Sequence, residues 1–146
     1  MQIIPVTDKS TALEFLQIAV VLHKNDGNWI RPLDKDINEV FDKEKNKAFR
    51  FGEAIRWVLK DGNGKLIGRI AAFTNKKYKN KGDDVAVGGI GFFECINHRE
   101  AAAILFDTAK QWLHHKGMQA MDGPINFGER DRWWGLITDG FIPPLY

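Results

Sequence analysis

The sequence contains one cysteine, Cys95, so no disulfide can form within the chain. It also lacks an apolar run of membrane length. The longest, Ala12 to Leu22, falls short of the about 20 residues a bilayer demands and is interrupted by Glu14 and Gln17. Met1 to Ser10 has neither the basic start nor the apolar centre of a signal peptide. A reducing cytoplasm is therefore the expected compartment, and no membrane partner is expected. Charge of one sign is missing too: 21 Lys and Arg against 19 Asp and Glu leave +2, too little to mark a nucleic-acid partner. The one lysine cluster, Lys76, Lys77, Lys79 and Lys81, runs straight into Asp83 and Asp84 and reads as a solvated loop. Histidines number four, and the adjacent pair His114 and His115 would project about 100° apart on a helix, so no metal site is expected. No repeat or interdomain linker is visible.

What remains is an ordinary globular balance, 44% hydrophobic and 27% charged, in 146 residues, a length suited to a single domain over residues 1–146. The pattern along the chain predicts a strand at Gln2 to Val6, then a helix opened by a capping box Thr11-Ala-Leu-Glu14 and reaching about Lys24. A shorter helix follows over Asp34 to Phe41, and Asp42 to Lys47 reads as a solvated connection. Glu53 to Lys60 and Lys65 to Thr74 flank Asp61-Gly62-Asn63-Gly64, the composition of a hairpin turn. The third strand of this set, Val85 to Cys95, holds Gly88, Gly89 and Gly91, which suggests a bulge or a close approach by another backbone or a ligand. Arg99 to Gly117 has helical apolar spacing, with Asn97 and Glu100 as its capping pair. A short strand, Gln119 to Met121, completes a right-handed parallel crossover, and Asp131 to Thr138 reads as a last helical piece. The order β-α-α-β-β-β-α-β is that of an α/β (α+β) mixed-sheet protein.

Several residues carry possible chemistry. Glu94 is a carboxylate on a strand, suited to a general base or, structurally, to a strand-end cap. Arg69 lies in an otherwise apolar strand, where a buried guanidinium requires a carboxylate or carbonyl partner. Cys95 has no evident activating partner and reads as a small core residue. His98 suits the first turn of a helix, and His23 stands at a helix end, where it favours the dipole. Trp29, Trp57 and Trp112 read as core; of the adjacent Trp133 and Trp134, one is expected to face outward. Asn126, in Gly123-Pro124-Ile125-Asn126-Phe127, sits either at a cleft mouth or in a strand-ending turn.

The element order resembles the GNAT acyltransferase fold over essentially the whole chain, and four blocks, Gly27-Asn-Trp-Ile-Arg-Pro-Leu33, Ile67-Gly-Arg-Ile-Ala-Ala-Phe73, Gly91-Phe-Phe-Glu-Cys95 and Gly123-Pro-Ile-Asn-Phe127, resemble a bacterial family of GNAT-like proteins. That resemblance implies a sheet whose fourth and fifth strands splay apart around acetyl-CoA or another acyl-CoA. Phe93, Cys95, Ile96, Asn97, His98, Arg99, Glu100 and Ala101 would then bind the cofactor. Glu94 would be the base and Asn126 would face the acceptor, an amine on a small molecule or a protein. The helix at Arg99 departs from the family's Gln or Arg, two residues, Gly, one residue, Gly or Ala. Ala102 stands where the first glycine belongs, Ile104 replaces the final small residue, and Glu100 adds negative charge. The competing reading is a non-catalytic GNAT-like module that binds or supports. A complete GNAT fold continues with further strands, so the C-terminal strands are expected to be missing and the chain to be the N-terminal part of a longer protein. Its exposed sheet edge would then offer pairing to a second copy.

Overall fold

Two β-branched and aromatic runs joined by a tight polar turn form the centre of the molecule. The turn is pinned by Asp61, whose Oδ1 accepts from the Asn63 and Lys65 amides at 2.8 and 2.9 Å, with Gly64 at φ +78 supplying the left-handed position. The computed structural model describes residues 1–79, 82 and 84–128. Strands β1 (Gln2–Pro5), β2 (Gly52–Lys60), β3 (Leu66–Asn75), β4 (Val87–Cys95) and β5 (Ala120–Asp122) lie side by side in that order in one sheet. The first four are antiparallel neighbours, and β5 runs parallel to β4 from Val87↔Ala120 to Gly89↔Asp122. Helices α1 (Lys9–Leu22), α2 (Asp34–Val40) and α3 (Arg99–His115) complete the expected order, with a one-turn 3-10 segment, Lys47–Arg50, where only a solvated connection was expected.

The helix starts differ from the sequence reading at two caps. Helix α1 begins three residues earlier than expected, because the capping box is Asp8 with Thr11. The Asp8 Oδ1 accepts from the Thr11 amide at 2.8 Å, and the Thr11 hydroxyl accepts from the Asp8 amide at 3.3 Å. Thr11 thus closes the box rather than opening it. Helix α3 is capped by His98 rather than Asn97: the imidazole Nδ1 accepts from the Ala101 amide at 3.3 Å.

The sheet has a core on each face. Ala101, Leu105, Ala109 and Leu113 of α3 pack on Leu59, Ile67, Ile70 and Ala72, while α1 and α2 place Phe15, Ile18, Ile37 and Val40 on Val58, Ala71 and Phe73. Trp57 is buried among the first set and Trp112 only partly so, whereas Trp29 lies outside both cores, a departure taken up below. The expected final helix Asp131 to Thr138, with Trp133 and Trp134, falls outside the described residues.

The glycines of β4 make close approach possible. A Cβ on Gly88 would meet the Leu113 side chain, on Gly89 the Ile125 side chain, and on Gly91 the Ile125 carbonyl oxygen. The segment after β5 therefore crosses directly over the strand, fastened by the Ile125 amide donating to the Ile90 carbonyl at 2.9 Å. Gly91→Ala meets backbone, which cannot rotate away, and is expected to cost about 1–3 kcal/mol in urea unfolding. Gly62→Ala, in open space, is its control.

Candidate functional site

The pairing of β3 with β4 slips between Arg69↔Glu94 and Ala71↔Gly91, so β4 spends one extra residue there. This is a bulge, and Phe92 within it takes φ 52, an uncommon conformation for a large side chain. The bulge resets which face each side chain meets. Phe92 joins the α1 face, Phe93 stacks on Phe106 of α3 at 4.4 Å, and Glu94 turns back to the α1 face opposite Arg69. Without the extra residue the alternation would send Glu94 to the other side.

Arg69 is 3% exposed. Its Nη1 donates to the Phe15 carbonyl of α1 at 2.8 Å and its Nη2 to Glu94 Oε1 at 3.0 Å, with the guanidinium 4.8 Å from the Phe15 ring centre. Burial pulls the Arg69 pKa below its ordinary value, and the Glu94 charge and hydrogen bond oppose that pull. The required partner of Arg69 is thus a structural ion pair. On its other oxygen, Glu94 faces His23: Oε2 lies 3.2 Å from His23 Nε2. The imidazole in turn stacks on Trp29, 5.1 Å between ring centres and 17° between planes. His23 is therefore not simply a solitary helix-end residue, nor Trp29 a core residue; together they cover the Glu94 carboxylate. A second cation lies deeper in the same face. Arg56 stands 4.2 Å over Phe41 and 5.2 Å over Phe15, and its Nη1 has no hydrogen-bond partner. Burial, reinforced by the like charge of Arg69, lowers its pKa to about 10.

On the opposite side of Glu94 the sheet opens. Beyond Gly89↔Asp122, β4 has no strand partner on its β5 side among the described residues, and Ile125 to Ile90 is the bond that crosses the gap. The edge from Phe92 to Cys95 leads to the N-terminus of α3, where Ile96, Asn97, His98, Arg99, Glu100 and Ala101 follow in order. A strand edge beyond its strand pairing fits an amide-bearing pantetheine arm. The helix end is a poorer anion site, since His98 already occupies the Ala101 amide and Glu100 sits in the first turn. Cys95 packs against the α3-side core and burial pushes its thiol pKa up, so it is not an activated nucleophile. Asn126 lies apart from Glu94, beside a small 70 Å³ cavity lined with Phe73, Tyr78 and Phe127. A larger cavity of about 670 Å³, bordered by Arg50, Glu53, Lys79 and Lys116, opens near the start of β4 and touches none of the expected site residues. Among the described residues no group of His, Cys, Asp and Glu is placed to hold a metal ion, and no helix is long and apolar enough to cross a membrane.

This architecture is the fold of the GNAT acetyltransferases. Aminoglycoside 6'-N-acetyltransferase of Acinetobacter haemolyticus superposes with a TM-score of 0.59 at 14% identity, covering 95% of this chain and 100% of that one. A second aminoglycoside N-acetyltransferase, solved in complex with CoA, gives a TM-score of 0.59 at 16% identity over 86% of this chain and 76% of that one. A GNAT-family acetyltransferase of Staphylococcus aureus gives 0.52 at 12% identity, over 80% and 69%. No family model matches the sequence. By sequence the chain is 25% identical over 146 residues to a bacterial ceramide synthase of Caulobacter vibrioides, and it spans 38% of that relative's length.

Proposed function

We propose that this chain is an acyl-CoA-dependent N-acyltransferase acting on an amine that carries an apolar chain. The observation behind the reaction class is the placement of Glu94. An ion-paired carboxylate stands on β4 beyond the stretch that pairs with β5 among the described residues, in a fold that the neighbours use for acetyl transfer. The acyl-CoA thioester supplies the acyl group. The backbone of Phe93 and Cys95 would hold its pantetheine arm and the first amides of α3, at Arg99 and Glu100, its phosphates. Asn126 is the proposed outer contact of the acceptor.

Two observations favour an apolar acceptor. Ceramide synthesis joins an acyl chain to a long-chain amine, and the relative at 25% identity bears that name. The loop after Trp29, whose ring stacks on His23, leaves Ile30 71% and Leu33 68% exposed. Large apolar side chains this exposed suit contact with a hydrocarbon chain.

The test is mass spectrometry of the chain incubated with acyl-CoAs of rising length and a panel of amines, from an aminoglycoside to a sphingoid base. Amide is expected with the long-chain amine, falling about 10²–10⁴-fold in Glu94→Gln. A second reading, a GNAT-like module without chemistry, draws on the glycine-free start of α3 and on Glu100 there. Turnover that disappears in Glu94→Gln refutes it; no amide from any pair refutes the first.

A further inference from the structure

We propose that His23 is the group that takes the proton from the attacking amine, and that Glu94 orients His23 instead of meeting the amine itself. This rests on the N-acyltransferase reading above. Both oxygens of Glu94 are already covered: Oε1 accepts from Arg69 Nη2 at 3.0 Å, and Oε2, which makes no hydrogen bond, is buried 3.2 Å from His23 Nε2. An incoming amine would have to displace one of them. His23 offers an alternative, because the negative charge 3.2 Å from Nε2 favours the ring hydrogen on that nitrogen and so leaves Nδ1 with its lone pair. No hydrogen bond reaches Nδ1 among the described residues, and the side chain is 34% exposed.

The imidazole is also held as a catalytic base should be. Its backbone caps α1, with its amide donating to the Ala19 carbonyl at 3.0 Å and its carbonyl accepting from the Asp26 amide at 2.9 Å. Trp29 fixes the ring plane. A closed circuit then runs from the Phe15 carbonyl in α1 to Arg69 in β3, to Glu94 in β4, and back to His23 at the end of α1. A carboxylate placed against a histidine base orients the ring and faces the positive charge that forms on it during proton transfer. Glu94 from β4 faces the ring and Arg69 from β3 lies behind it; Arg56 of β2 shares the Phe15 face with Arg69, and Lys24 and Asp26 flank His23 in sequence.

The step balances simply. The ammonium of the acceptor gives one proton to His23 Nδ1, and the resulting imidazolium is paired with Glu94. The freed nitrogen lone pair attacks the thioester carbon, a C–N bond forms, and the C–S bond breaks. The second nitrogen proton leaves with the thiolate as thiol, and His23 returns its proton to solvent.

His23→Gln is the informative variant, because the glutamine amide retains a donor toward Glu94 but cannot take a proton. Its kcat is expected to fall about 10²–10⁴-fold while its Tm stays near that of the wild type. The pH profile of the wild-type kcat should carry an acid limb that is missing in the variant. Nitrogen NMR of the wild type should show His23 as the Nε2–H tautomer, a readout independent of turnover. The proposal is overturned if His23→Gln keeps kcat within about threefold with the same acid limb, or if the hydrogen sits on Nδ1. An inactive wild type would instead bring down the acyltransferase reading, and this proposal with it.

Discussion

Glu94→Ala should destabilise the protein by about 3–5 kcal/mol, because it leaves the Arg69 guanidinium buried without its counter-charge. Arg69 is almost completely shielded from water and, among the described residues, keeps the Phe15 carbonyl and the aromatic faces of Phe15 and Phe92 as partners once the carboxylate is gone. A neutral carbonyl does not replace the charge. Glu94→Gln should cost less, since its amide oxygen can still accept from Arg69 Nη2, so the two variants separate stability from chemistry. Urea unfolding with spectroscopic detection measures both. An Arg69→Met, Glu94→Ala double variant is expected to recover part of the loss, because removing both charges removes the unpaired one. A Glu94→Ala protein as stable as the wild type would mean that Arg69 does not depend on this carboxylate.

The second large effect is expected at Phe127→Ala, at about 3–5 kcal/mol. Phe127 is 2% exposed and lies parallel to Phe73, 5.4 Å between ring centres, with Phe49 edge-on at 4.9 Å. Its carbonyl accepts from Asn46 Nδ2 at 2.7 Å, and the same amide group donates to the Val40 carbonyl at 2.8 Å. One ring thus fastens the segment after β5 to the α2 side of the sheet, across the glycines of β4. Truncating it leaves a cavity between two other aromatic rings and releases the strap that bounds the open edge. Phe127→Leu should lose much less, and equal losses in the two variants would contradict the packing explanation.

Much of this fold was legible from local signals. The Asp61 turn, the spacing of α3 and the parallel return of β5 are each set by residues adjacent in sequence, so their physics can be read without the tertiary structure. The caps were harder, because Asp8 and Thr11 offer overlapping boxes, and only backbone geometry decides which residue is the cap. Arg69 announced that it needed a partner but not which one, since the partner depends on the β4 bulge. That bulge lies within Phe92-Phe93, two apolar residues whose alternation does not reveal where the phase slips. His23 and Trp29 read from sequence as a helix-end residue and a core residue for a related reason. They belong to the end of α1 and the loop beyond, far in sequence from Glu94, and nothing local to either segment marks the contact. The order of elements identified the fold; the polar circuit required tertiary register.

The most direct test is a titration of the isotope-labelled chain with acetyl-CoA and octanoyl-CoA, followed residue by residue through backbone amide resonances. Saturable shifts are expected over Phe92 to Ala101, along the open edge of β4 and the first turn of α3. No shift in that stretch, or shifts confined to the cavity bordered by Arg50, Lys79 and Lys116, would contradict an acyl-CoA site between β4 and β5.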